Sequence, residues 1–295
     1  MCDDVTESEN GHWLLGRKLG RREFARWGAG AAALAMMPGC AMAQDASAAV
    51  ETASRTVSVP TPDGTMDGFF VHPASGKHPA VILWPDIAGL RDAYRTMATR
   101  LAASGYAVLV VNQYYRSARA PVLASFAEWR TDAGRARLQP MIAALNPAGI
   151  TRDAGALITW LDAQAEVDTA KKIASSGYCM GGPFTFRTAA ANPARVGAIA
   201  SFHGGGLVTD TPESPHLLID DFQAAMLIAV AQNDDERAPT HKDVLRGAAS
   251  AAGRMAEIEV YPAQHGWCTI DSPVYAEAEA ERAWARMLAL FAERL

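Results

Sequence analysis

The chain has 295 residues, 49% of them hydrophobic and 20% charged, and carries a formal net charge of −5. That length and apolar content suffice for one large core or two small ones and exclude disorder along the whole chain. The acidic balance, with no stretch that sets clustered Lys/Arg among aromatics, removes electrostatic support for a nucleic-acid partner and leaves small molecules as the expected ligands.

Residues 1–43 read as an export signal. The arginine pair Arg21 and Arg22 precedes an apolar stretch from Trp27 to Met37, and Ala41-Met42-Ala43 supplies a small-x-small cleavage site. This is the pattern of a twin-arginine leader, addressed to export machinery. The apolar stretch falls far short of the roughly 20 residues of a spanning helix, so no stable membrane span is expected. Two other readings stand beside it: an amphipathic N-terminal helix of a cytoplasmic protein, and a membrane-anchored lipoprotein modified at Cys40. After cleavage the chain would be periplasmic or secreted. Residues 44–54, Ala/Ser-rich and polar, read as a linker, and residues 55–295 as one domain.

Beyond the linker, strand and helix patterns alternate. RTVSVPT and DGFFVHP form an expected antiparallel pair across Pro62-Asp63-Gly64. PAVILWPD and YAVLVVNQY are continuous apolar runs, as expected for strands buried on both faces. Between them Tyr94, Met97 and Leu101 mark a helix that stops near Gly105. Residues 115–146 are less regular, with helical pieces. An amphipathic helix from Thr151 should bury Ala154, Leu157, Ile158 and Leu161. A strand ends at Cys179, a helix opens at Pro183, three more strands follow (VGAIASFHG, AMLIAVAQND, AEIEVYPA), and a helix over 274–295 closes the chain. The expected fold class is α/β: a doubly wound, mostly parallel sheet flanked by helices.

In such sheets the chemistry gathers at the carboxyl ends of strands. Cys179 lies in Gly177-Tyr178-Cys179-Met180-Gly181, the G-x-nucleophile-x-G elbow, which holds a side chain out over the sheet at a helix N-terminus, where backbone dipoles favour a thiolate. His265 follows the last strand, where a catalytic base belongs. His203, in SFHGGG, is its rival, with substrate contact or packing as its other roles. The acid after AMLIAVAQ is Asp234 or Asp235; counting from the strand favours Asp234, counting back from Pro239 favours Asp235, and either could instead cap the following helix. Met180 N–H and Ile87 N–H are the expected oxyanion donors. Cys179 and Cys268 are the cysteines past the leader; with no C-x-x-C pair and no His/Cys cluster at ligand spacing, no metal site is expected. The two thiols leave open a disulfide or a redox pair.

With GYCMGG at the elbow and a His-Gly-Trp loop, the chain resembles the dienelactone hydrolase family of the α/β-hydrolase fold over roughly residues 55–295. The resemblance implies hydrolysis of small esters or lactones by a Cys-His-Asp triad without a cofactor. It further implies that Asp86, in WPDIAGL, holds the thiol until substrate arrives, although Asp stands where the best-known members have Glu, and Asp86 has a helix cap as its alternative role. It places Arg137 as one of two arginines that hold a substrate carboxylate; Thr269 occupies the position of the other. Tyr115 and Trp267 become pocket-lining or core residues. The expected mechanism is acyl transfer through a thioester on Cys179; a non-catalytic periplasmic binding protein on the same scaffold is the contrasting reading.

Overall fold

The computed structural model describes residues 4–16 and 50–295. The arginine pair, the apolar stretch, Cys40 and the Ala41–Ala43 site lie outside the described residues. Among those that are described, the first element is a helix, α1 (Asp4–Gly16).

A hairpin follows, β1 (Thr52–Thr61) and β2 (Gly64–Pro73), paired in antiparallel register from Thr52↔Pro73 to Thr61↔Gly64. The tight turn is possible because Gly64 adopts φ +141°. Residues 52–54, expected in the linker, belong to β1: their backbone pairs with β2, and Ala/Ser composition does not prevent an edge strand from forming.

Next come β3 (Ala80–Trp84), α2 (Asp92–Ala103) and β4 (Ala107–Val111). The irregular stretch contains α3 (Phe126–Trp129) and α4 (Asp132–Ala143). Helix α5 (Pro147–Asp162) starts four residues before the expected Thr151, because the Asn146 side chain accepts from Gly149 N and Pro147 occupies the first turn. It buries the four expected residues and Gly149, Ile150 and Asp153 as well.

The remaining elements are β5 (Ile173–Tyr178), α6 (Gly182–Ala191), β6 (Val196–Phe202), β7 (Ala225–Ala231), α7 (Gln232–Arg237), α8 (His241–Ala251), β8 (Ala256–Tyr261) and α9 (Glu277–Arg294).

The eight strands form one sheet in the order β1-β2-β4-β3-β5-β6-β7-β8, antiparallel at β1–β2 and β2–β4 and parallel throughout the rest. Alternate residues of a central strand feed different cores: Ile82 joins the cluster with α4, α5, α6 and α8, while Val81 and Leu83 join the cluster with α2 and α9. Both faces are covered, which is why β3 and β4 read as unbroken apolar runs. The doubly wound sheet expected from the sequence is the one observed. Both cores are built from residues at or after Val57.

Candidate active site

Strand β5 ends in a forced turn. Cys179 has φ +52°, a left-handed conformation that costs a residue with a Cβ. Its flanking glycines leave no alternative: a Cβ on Gly177 would come within 2.1 Å of the Gly181 carbonyl oxygen, and one on Gly181 within 2.3 Å of the Trp84 carbonyl oxygen. The backbone of the elbow is thus packed directly against the end of β3, which places Met180 N–H beside the loop that carries Ile87. A single helical turn over 179–181 leads into α6, so the thiol stands at a helix start.

The loop after β8 brings His265 to the same place. Its Nδ1 lies 2.6 Å from Asp234 Oδ2, and its backbone N–H donates to Asn233 Oδ1 at 2.8 Å. Asp234 is therefore the carboxylate at the imidazole. Asp235 turns away to an ion pair with Lys242 at 2.6 Å. Both acids sit within α7, whose backbone sends adjacent side chains in different directions.

On its other side the imidazole faces Cys179. Burial opposes a charge on His265, but Asp234, the Cys179 charge and hydrogen bonding to both raise its pKa to about 9. Its buried Nε2 meets no partner at full hydrogen-bonding geometry among the described residues, so the contact with sulfur is loose, as is usual before substrate binds. Asp234 shows the converse shift. Burial alone would raise its pKa, yet the charge and hydrogen bond of His265 hold it well below the ordinary carboxylate value.

His203 is no rival as a base. It packs against the His265 ring with centroids 4.9 Å apart, and burial plus the neighbouring imidazolium push its pKa down to about 3. It stays neutral, backed by Trp267 at 5.1 Å. Trp267 is itself buried and stacked on Tyr261 at 5.2 Å, so of its two expected roles it takes the core one.

The loop after β3 supplies the opposite wall. Ile87 N–H donates to no group among the described residues, and its carbonyl is fixed by the Tyr114 hydroxyl at 2.7 Å. That hydroxyl also lies 3.4 Å from Met180 Sδ. The tyrosine at the site is thus Tyr114. Tyr115, the expected one, sends its hydroxyl to Asp153 and Thr61 at 2.7 and 2.8 Å, because the chain turns sharply after β4 and points neighbouring side chains apart.

Asp86 is close enough to feel charge on Cys179, but its carboxylate is held elsewhere. Arg91 grips both oxygens at 2.7 and 2.9 Å, and Ala88 N–H donates to Oδ1 at 2.9 Å. This corrects both expectations for Asp86: it is committed to an arginine rather than the thiol, and it closes the turn at 86–89 rather than capping α2, which starts at Asp92. Arg91 also binds Asp271 through two contacts of 2.7 and 2.8 Å, tying the β3 loop to the β8 loop. Arg91 and Asp86 are desolvated while Asp271 is partly exposed; a buried fork of this kind fixes geometry, and removing the Asp86 partner typically costs about 3–5 kcal/mol. No motif announced the Arg91–Asp271 contact, since the two lie 180 residues apart in the chain.

Arg137 is exposed on α4 and touches none of these groups, because that helix buries Gly134 and Leu138 instead. Arg130, at the end of α3, has its Nε 3.0 Å from Glu7 of α1. Beside the elbow, an open cavity of about 350 Å³ runs from Met180 between Ile150, Pro183, Phe184 and Pro215. Neither Cys179 nor Cys268 is in a disulfide. The two pack in the cores on opposite faces of the sheet, and burial pushes the Cys268 thiol pKa well up, which gives a redox pair no geometric basis. Among the described residues no group of His, Cys, Asp or Glu could hold a metal ion, and no helix is long and apolar enough to cross a membrane.

Sheet order, elbow and the strand-end acid and histidine together define the α/β-hydrolase class. The family model for dienelactone hydrolases matches residues 66–295, so the chain belongs to the dienelactone hydrolase family and is a hydrolase. It is 30% identical over 243 residues to a Salmonella typhi protein described as a candidate carboxymethylenebutenolidase, covering 80% of this chain and 86% of that one. A protein of Methylorubrum extorquens with the same description is 26% identical over 261 residues, 86% of each chain. The crystal structure of a candidate dienelactone hydrolase from Klebsiella pneumoniae superposes with a TM-score of 0.71 at 26% identity, covering 82% of this chain and 99% of that one.

Proposed function

We propose that the chain hydrolyses small carboxylic esters or lactones through Cys179, His265 and Asp234. The observation that carries this reading is the line Asp234–His265–Cys179, with a 2.6 Å acid–imidazole bond and an imidazole held protonated by charge on both sides. In this reading the Cys179 thiolate attacks the carbonyl carbon, and the oxyanion is met by the N–H groups of Met180 and Ile87. His265 then gives its proton to the departing alkoxide, and the C–O bond breaks to leave a thioester. A water molecule deprotonated by His265 attacks that thioester; its collapse returns the carboxylic acid and the thiolate–imidazolium pair. Asp234 keeps the imidazole in one orientation and stabilises its charged form.

The test is a panel of lactones and short aryl esters, quenched in acid during turnover and weighed intact. Mass added to the peptide holding Cys179, lost again on chasing with water, is the expected result; acyl mass on another residue, or none with any ester that is turned over, overturns the reading.

Export through the twin-arginine pattern is proposed on the sequence of residues 21–43. Replacing Arg21 and Arg22 together by lysine is expected to hold the protein in the cytoplasmic fraction; unchanged fractionation excludes that route.

A further inference from the structure

The thiol and imidazole described above are closed off. Cys179 is 0% and His265 1% exposed, and the cavity beside them is lined by Met180 but not by Cys179. Helix α1 lies against these groups from a segment distant in the chain. Asn10 donates to the His265 carbonyl at 3.0 Å, and Glu9 accepts from Asn233 Nδ2 at 2.9 Å. Asn233 is the residue that holds the His265 backbone. Thr6 accepts from Arg237 at 2.9 Å, next to Asp234. Glu7 pairs with Arg130, and its carboxylate lies within electrostatic reach of both His265 and Cys179. Thr6 and Asn10 are almost fully buried in this contact.

The contact is polar. Neither apolar core draws a described residue from α1, and the polar contacts of the helix include three hydrogen bonds and two ion pairs, Glu7–Arg130 at 3.0 Å and Glu9–Arg237 at 3.8 Å, each of modest net strength. Such a seat is specific but releasable.

We infer that α1 is an inhibitory segment of this chain: the mouth of the active site is a docking surface for residues 4–16, and Glu7, anchored on Arg130, fills the space before the thiol that substrate must enter. This rests on the proposed hydrolytic role of Cys179 for its meaning, though not for its geometry. The helix belongs to the stretch read as an export leader, so cleavage after Ala43 would remove the block along with the leader.

The test reads access to sulfur independently of catalysis. Cys179 alkylation by iodoacetamide is timed by peptide mass spectrometry in the full chain, in Glu7→Arg, in Arg130→Glu, and in the double charge swap. Each single variant should raise the rate by about tenfold or more, and the swap, which restores an ion pair, should return it to within about threefold of the original. A chain starting at Gln44 keeps every described core residue; it should alkylate as fast as the single variants and be protected again by an added peptide of residues 4–16. Equal rates in all forms overturn the inference even if esters are hydrolysed. Faster alkylation without turnover of any ester upholds the block and removes the hydrolase reading instead.

Discussion

Replacement of Cys179 by alanine is expected to remove ester turnover, lowering kcat by about 10⁴-fold or more, with the fold retained. The size follows from how the site is built. With sulfur gone, no other nucleophile stands between His265 and the N–H groups of Met180 and Ile87, and those groups alone give only the residual catalysis of a polarising site. Folding should survive, because alanine at φ +52° carries the same Cβ that cysteine already fits there. Cys179→Ser is the sharper variant. Its hydroxyl is far harder to ionise than a thiol, and if the 2.6 Å Asp234–His265 bond can activate it, a small fraction of activity should return. Steady-state kinetics on an aryl ester checks both, with circular dichroism as the control for folding; retention of most activity in the alanine protein would falsify the mechanism.

Asp234→Asn is expected to lower kcat by about 10³–10⁴-fold, whereas Asp235→Asn should change it by less than about threefold. The amide cannot stabilise an imidazolium and presents N–H where an acceptor is needed, so His265 is turned to the wrong tautomer. Asp235 serves only the Lys242 pair.

Stability provides a second readout with a definite sign. His265 has a folded pKa near 9 against an ordinary 6.5, so its contribution to stability is full below about 6.5 and fades as pH rises through about 9. Asp234 is shifted the other way, so its contribution is present above its ordinary 3.8 and fades as pH falls below that. The stability gap between the unmodified protein and Asp234→Asn should therefore be widest near pH 5–6 and narrow toward about pH 9.5. Urea denaturation at about pH 5.5 and pH 9.5 measures it; a gap that is constant, or that widens with pH, contradicts the ion pair.

Much of this site was legible in the residues because local chemistry wrote it there. Gly177 and Gly181 are required by a turn that lets two backbones meet, and a motif of that kind can be read without knowing what it packs against. Apolar runs with no polar alternation announced strands covered on both sides, and Asn146 with Pro147 marks a helix start four residues before the apolar periodicity from Thr151 becomes visible. Where the signal was only adjacency, it failed. Tyr114 and Tyr115 are neighbours of one type, and the turn after β4 decides which hydroxyl reaches Ile87. Arg137 and Arg130 differ by two turns of chain, and only the course of α3 and α4 brings one of them to Glu7.

The chain by itself determined the sheet class, the elbow and the order of cysteine, acid and histidine at the strand ends, since these depend on periodicity and short-range steric rules. Tertiary structure alone decided the partners of charged groups: Asp234 rather than Asp235 at the imidazole, Asp86 and Asp271 on Arg91 with neither on sulfur, and Glu7 of α1 on Arg130. The physical reason is that burial makes an unpaired charge costly but leaves the choice of partner to whichever opposite charge the fold carries within reach, and that distance is not written in sequence separation.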